Sequence, residues 1–163
     1  VTAFAPIGFW STAERLWAEG FLTMLRAGAR GIPTILARVL RTAPGRRALL
    51  FPLFGRPSHV DADAAIADLA ALAAAEGFTR SRTSFRAQRA AASTPSVPTV
   101  IVWGRRDLIL PFHRQSRRAR SRLPHARHVL LGGCGHLPFS DAPSTCVDLI
   151  LETHPFTKAQ EAA

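Results

Sequence analysis

The sequence predicts an α/β fold: three strands of a mostly parallel sheet with their helices, and a helical segment inserted between the first strand and the second. Three observations predict it. The chain opens on a short apolar run, Val1 to Ala5, stopped by Pro6-Ile7-Gly8. A helical pattern then runs from Ser11 to about Ala92. From Thr99 onward the order becomes strand, helix, strand, helix, which indicates βαβ units and a parallel sheet.

Each element has a local reason. VTAFA is apolar and short, as a buried strand is, and the Pro-Ile-Gly that follows is turn chemistry. Within 11–92 the breakers Gly31, Pro33, Pro44-Gly45, Pro52 and Pro57 divide the region into helices of roughly 8–18 residues. The clearest spans Ser58 to Glu76. Asp61 and Asp63 fall in or near its first turn, where the helix end is positive, Ile66, Leu69 and Leu72 recur every three residues, and Gly77 follows as a stop. Ala91 to Pro98 is a linker by composition. Thr99 to Trp103 is apolar and mostly β-branched, as in a strand buried on both faces, and Gly104 ends it. An arginine-rich helix from about Phe112 to Leu123 closes at Pro124. His128 to Leu131 is a third strand, ended by Gly132-Gly133. A last helix follows Asp141-Ala142-Pro143, with Val147, Leu149, Ile150 and Leu151 on its apolar side. The units are residues 1–10 (strand and loop), 11–92 (helical insert) and 93–163 (core).

Composition bounds the function. A chain of 163 residues has room for one domain and one core. Its 47% apolar and 20% charged content is globular, and no run approaches the roughly 18 apolar residues of a membrane span. The start at Val1, inside an apolar run, reads as a cut, so export stays open. Two cysteines, Cys134 and Cys146, are too few for a disulfide framework and match no common zinc spacing, which makes the reducing cytoplasm the default. The net charge is +10, nearly all from arginine, since Lys158 is the only lysine. That usage points to a GC-rich coding bias.

In parallel sheets, functional groups collect in loops past the carboxyl ends of strands. Two loops fit. One is Gly104-Arg105-Arg106-Asp107, and the other is Gly132-Gly133-Cys134-Gly135-His136-Leu137-Pro138. If their strands are neighbours, Asp107 and His136 emerge at the same sheet edge. The carboxylate can then accept the imidazole Nδ1–H and fix the tautomer, leaving Nε2 free to deprotonate a nucleophile.

Those segments resemble a known family. P-T-V-I-V-W-G-R-R-D at 98–107 and R-H-V-L-L-G-G-C-G-H-L-P at 127–138 are similar to the acid and histidine loops of α/β-hydrolases. The likeness extends through Leu123 to Arg127 and Ser140 to Pro143. It implies that Asp107 is the triad acid and His136 the general base, that residues 1–10 end the sixth strand, and that 11–92 are the inserted cap. The chain would be the C-terminal part of the fold, partnered by a missing N-terminal half. It implies an esterase-like serine hydrolase, no cofactor or metal, and a hydrophobic small-molecule substrate. The family's G-x-S-x-G nucleophile elbow has no match in the 163 residues, so the chain alone is expected to be inactive. A first strand with one edge unpaired is expected to leave it marginally stable or aggregating. A monodisperse sample with a cooperative, high-temperature melt would contradict this.

Other chemistry-bearing residues have plainer readings. Cys134 sits two residues from His136, too close on a tight loop to face it as a nucleophile. His113, His125 and His128 lack a nearby carboxylate or thiolate for a metal. Eight arginines in 105–127 are expected to form a solvated face partly paired with acids on the missing half, not a nucleic-acid interface, because only Phe112 offers stacking there. Most aromatics of the insert are packing. Phe9 and Trp10, just past the first strand, are candidates for lining an apolar substrate pocket. The rival functions are a non-catalytic truncated remnant and, less favoured, a basic nucleic-acid-binding module.

Overall fold

The computed structural model describes residues 1–88 and 97–152. Strands β1 (Thr2–Phe4), β2 (Val100–Gly104) and β3 (Arg127–Leu131) form one sheet in the order β1-β2-β3, with both pairs parallel. Between β1 and β2 lie helices α1 (Thr12–Gly31), α2 (Pro33–Leu40), α3 (Ala43–Leu50), α4 (Ala62–Ala74) and α5 (Phe78–Ser84). Helix α6 (Phe112–Arg122) joins β2 to β3, and α7 (Pro138–Asp141) and α8 (Pro143–Glu152) follow. The α/β class is the one expected, while the linker at 91–98 falls outside the described residues except for Val97 and Pro98. Among the described residues no helix is long and apolar enough to cross a membrane.

The insert departs from its sequence pattern in three places. Helix α1 runs for 20 residues, longer than expected, because Ser11 and Glu14 close a reciprocal capping box at its start and no proline interrupts it before Pro33. Pro44 and Gly45 do not end a helix. They lie in the first turn of α3, where a proline loses no bond, and the Thr42 hydroxyl accepts the Gly45 N–H at 3.0 Å. Helix α4 starts four residues late, after a single 3₁₀ turn at Pro57–His59, with Asp61 as its N-cap. At the other end of α4, the Arg26 guanidinium of α1 donates to the Ala75 carbonyl at 2.7 Å and stacks over Phe78, satisfying an orphan helix-end acceptor.

Strand β2 is buried along its whole length because both sheet faces are covered. Ile101 and Trp103 point into a core shared with Phe9, Leu110, Ala119 and the insert. Val100 and Val102 pack on the opposite face with Leu131, Cys134, Cys146 and Leu149 of α8. This two-sided burial explains the uninterrupted apolar run. The arginine-rich helix α6 is tied to the β1–α1 connection. Arg118 donates to the Phe9 carbonyl and to Glu14, which is only 7% exposed, so this arginine finds its acid within the chain. Register then fixes the functional edge: Gly104 lies opposite Leu131, so the two Gly-containing loops leave the sheet side by side.

Candidate active site

The two loops are fastened to each other before any side chain is considered. The Arg105 N–H donates to the Leu131 carbonyl at 3.0 Å and the Arg106 N–H to the Cys134 carbonyl at 2.9 Å. Gly104 and Gly135 permit this approach. A Cβ at Gly104 would stand 2.0 Å from the Gly135 carbonyl oxygen, and one at Gly135 would stand 2.5 Å from that of Leu53. Both obstacles are backbone, so neither position has room for a side chain.

Asp107 is 2% exposed, yet every acceptor direction it needs is used. Its Oδ1 accepts the N–H groups of Ile109 at 3.0 Å and Leu110 at 2.8 Å. That leaves Oδ2 aimed at His136, whose Nδ1 lies 3.0 Å away. A carboxylate oxygen facing Nδ1 favours the tautomer with the proton on Nδ1 and the lone pair on Nε2. The His136 side chain retains 23% of its exposure, so the pair joins a buried anchor to an accessible imidazole. The acid loop is also held from α1, where the Trp17 indole N–H donates to the Leu108 carbonyl at 2.9 Å.

A residue whose role the sequence did not disclose fixes the histidine loop. Asp141, at the end of α7, accepts the N–H of Gly55 and of Gly135 on Oδ2 and that of Arg56 on Oδ1, all at 2.8 Å. One carboxylate thus clamps the loop after α3 onto the loop that carries His136. The Arg106 guanidinium reinforces the junction by donating to the Gly55 carbonyl at 2.9 Å, and the Leu137 N–H donates to the Leu53 carbonyl at 2.9 Å.

His136 and Leu137 form part of the wall of an apolar cavity of about 300 Å³. The insert supplies the remainder, notably Leu22, Leu50, Phe54, Leu69 and Leu72, with Asp68 the one carboxylate on the wall among the described residues. Phe9 and Trp10 are not among the residues that line it. Phe9 is 3% exposed and packed into the core, held there by Arg118 at its carbonyl. Trp10 packs against Phe85, with ring centroids 5.5 Å apart. Both follow the strand end as expected, and their side chains pack against the core and against Phe85.

Cys134 and Cys146 are buried free thiols on the far face of the sheet. Burial pushes the Cys134 thiol up, and the Asp141 carboxylate adds to this against an opposing pull from Arg56. Cys146 is also raised, by burial first and then by Cys134 and Asp141. A neutral, enclosed thiol is a packing group, not a nucleophile. An unfolded cysteine ionises near pH 8.5, below either folded thiol, so the unfolded chain releases its protons first. Stability is therefore expected to be unaffected by these groups below about pH 8.5 and to fall as pH rises through it. Chemical denaturation across that range should show the loss, and the Cys134→Ala/Cys146→Ala variant should flatten it. Of the histidines considered for a metal, His128 has Nε2 at 3.0 Å from the Leu123 carbonyl, and among the described residues no cluster of three potential ligands forms.

No family model matches the chain. Uncharacterized proteins of Mycobacterium tuberculosis and Mycobacterium bovis are 33% identical over 57 residues, which is 35% of this chain and 16% of theirs. Among solved structures, an alanine-to-valine mutant of the meta-cleavage product hydrolase CumD is similar with a TM-score of 0.51 and 20% identity. That match covers 69% of this chain and 45% of that one. A serine-to-alanine mutant of CumD from Pseudomonas fluorescens, complexed with acetates, gives 0.48 and 23% identity over 72% and 46%. The chain therefore spans less than half the length of these hydrolases. Its three parallel strands and their helices have an α/β-hydrolase-like fold.

Proposed function

We propose that Asp107 and His136 are the acid and general base of a hydrolase acting on esters or related bonds, with the nucleophile supplied from outside these 163 residues. The observation that carries the reading is the 3.0 Å bond from His136 to a carboxylate anchored by two backbone N–H groups, at the wall of an apolar cavity. In this reading the Nε2 lone pair of His136 takes the proton of a serine hydroxyl as its oxygen attacks the substrate carbonyl. Asp107 stabilises the imidazolium, which then protonates the leaving group as the carbon–oxygen bond breaks. Water, deprotonated by the same nitrogen, releases the acyl group and restores the serine. The helices between β1 and β2 act as a cap, and the cavity they share with His136 takes the apolar part of a small substrate.

The test is turnover of p-nitrophenyl acyl esters by the protein encoded together with its upstream sequence, beside the 163-residue chain alone. Activity is expected only in the longer protein, and His136→Ala should abolish it. Esterase activity that survives His136→Ala in the longer protein would refute the reading.

A further inference from the structure

A wider and more open cavity of about 790 Å³, whose lining does not include His136, lies where the loop after α3 meets the acid loop. Four arginines line it, Arg47, Arg56, Arg105 and Arg106, together with His59. Among the described residues none that lines it is acidic. Arg106 is engaged, donating to the Gly55 carbonyl. The other three are exposed and form no ion pair among the described residues. The nearby carboxylate, Asp141, already accepts three backbone N–H groups.

The cavity is not merely cationic. Phe51 and Leu108, 53% and 45% exposed, line it beside Phe54 and Pro57. Like charges gathered around an apolar surface repel one another and leave that surface wet, and both costs fall when an anion with an apolar body enters. Guanidinium forks match the two oxygens of a carboxylate or the three of a phosphate ester. We propose that this cavity, whose lining includes neither Asp107 nor His136, binds a small organic anion, a carboxylate or a phosphate ester on an apolar body. Arg47 and Arg56 belong to the insert and Arg105 to the acid loop, so the ligand bridges the two layers.

The experiment is calorimetric titration of the 163-residue chain, or of the longer protein encoded with its upstream sequence where the chain aggregates, with naphthyl phosphate, naphthoate, naphthol and inorganic phosphate. Both aromatic anions are expected to bind, with naphthol and inorganic phosphate each about tenfold weaker or worse. The tighter of the two anions identifies the head group. Arg56→Gln and Arg105→Gln should each weaken the anions about tenfold while the melting temperature and circular dichroism stay those of the parent. Arg47→Gln serves in place of either variant that melts lower. Absence of binding by both anions, equal binding of naphthol, or anion affinity unmoved by the arginine variants would overturn the proposal. So would a single-stranded oligonucleotide that displaces the anions with a steep salt dependence, which would assign the arginines to nucleic acid.

Discussion

Asp107→Asn is expected to lower hydrolytic turnover about 10⁴-fold in a protein where this chain supplies the acid and base. The amide cannot accept the Nδ1–H while also keeping the Ile109 and Leu110 N–H groups on its single oxygen, so His136 is pushed towards the other tautomer, with its proton on Nε2. That form has no lone pair to offer a nucleophile. Asp107→Ala should be worse for the fold itself. It strands two buried backbone donors and one imidazole donor, and at about 1–3 kcal/mol for each unsatisfied group the loss should be about 3 kcal/mol or more. Steady-state turnover reads the first effect and urea denaturation the second. Turnover within about tenfold of the parent for Asp107→Asn would mean that the carboxylate does not set the tautomer.

Asp141→Ala is the second large effect. Three backbone N–H groups, from Gly55, Arg56 and Gly135, lose a charged acceptor together. Part of that surface reaches water, which softens the penalty, and a loss of about 2–4 kcal/mol is expected. The consequence reaches the site because the same carboxylate joins the loop after α3 to the loop that carries His136. Asp141→Asn, which keeps one acceptor oxygen, should fall between the parent and the alanine variant. A change for Asp141→Ala within about 0.5 kcal/mol, the scale of an ordinary surface substitution, would show that the clamp contributes nothing.

The legible and illegible parts of the molecule divide along a physical line. Strand β2 and the Asp107 and His136 loops could be read because their signals are local. A β-branched run ended by glycine declares a buried strand, and strand order places both loops at one edge. The Asp141 clamp could not be read, since its partner Gly55 lies 86 residues away and is held through its backbone, which leaves no mark of residue type. The apolar cavity was hidden for a similar reason. Leu22, Leu50 and Leu69 look like ordinary core positions of three separate helices, and only tertiary packing brings them around His136. Phe9 shows the limit of such local signals, since its burial in the core is set by residues distant in sequence. Pro44-Gly45 was ambiguous on its face, as proline both breaks a helix and starts one.

The hydrolase account stands or falls on the state of the His136 ring. Imidazole ¹⁵N–¹H correlation spectra of the folded chain at neutral pH test this directly. The expected result is a protonated Nδ1 with a strongly downfield proton that disappears in Asp107→Ala, beside an unprotonated Nε2. A proton residing on Nε2, or a ring averaging freely between tautomers as in solution, would contradict it.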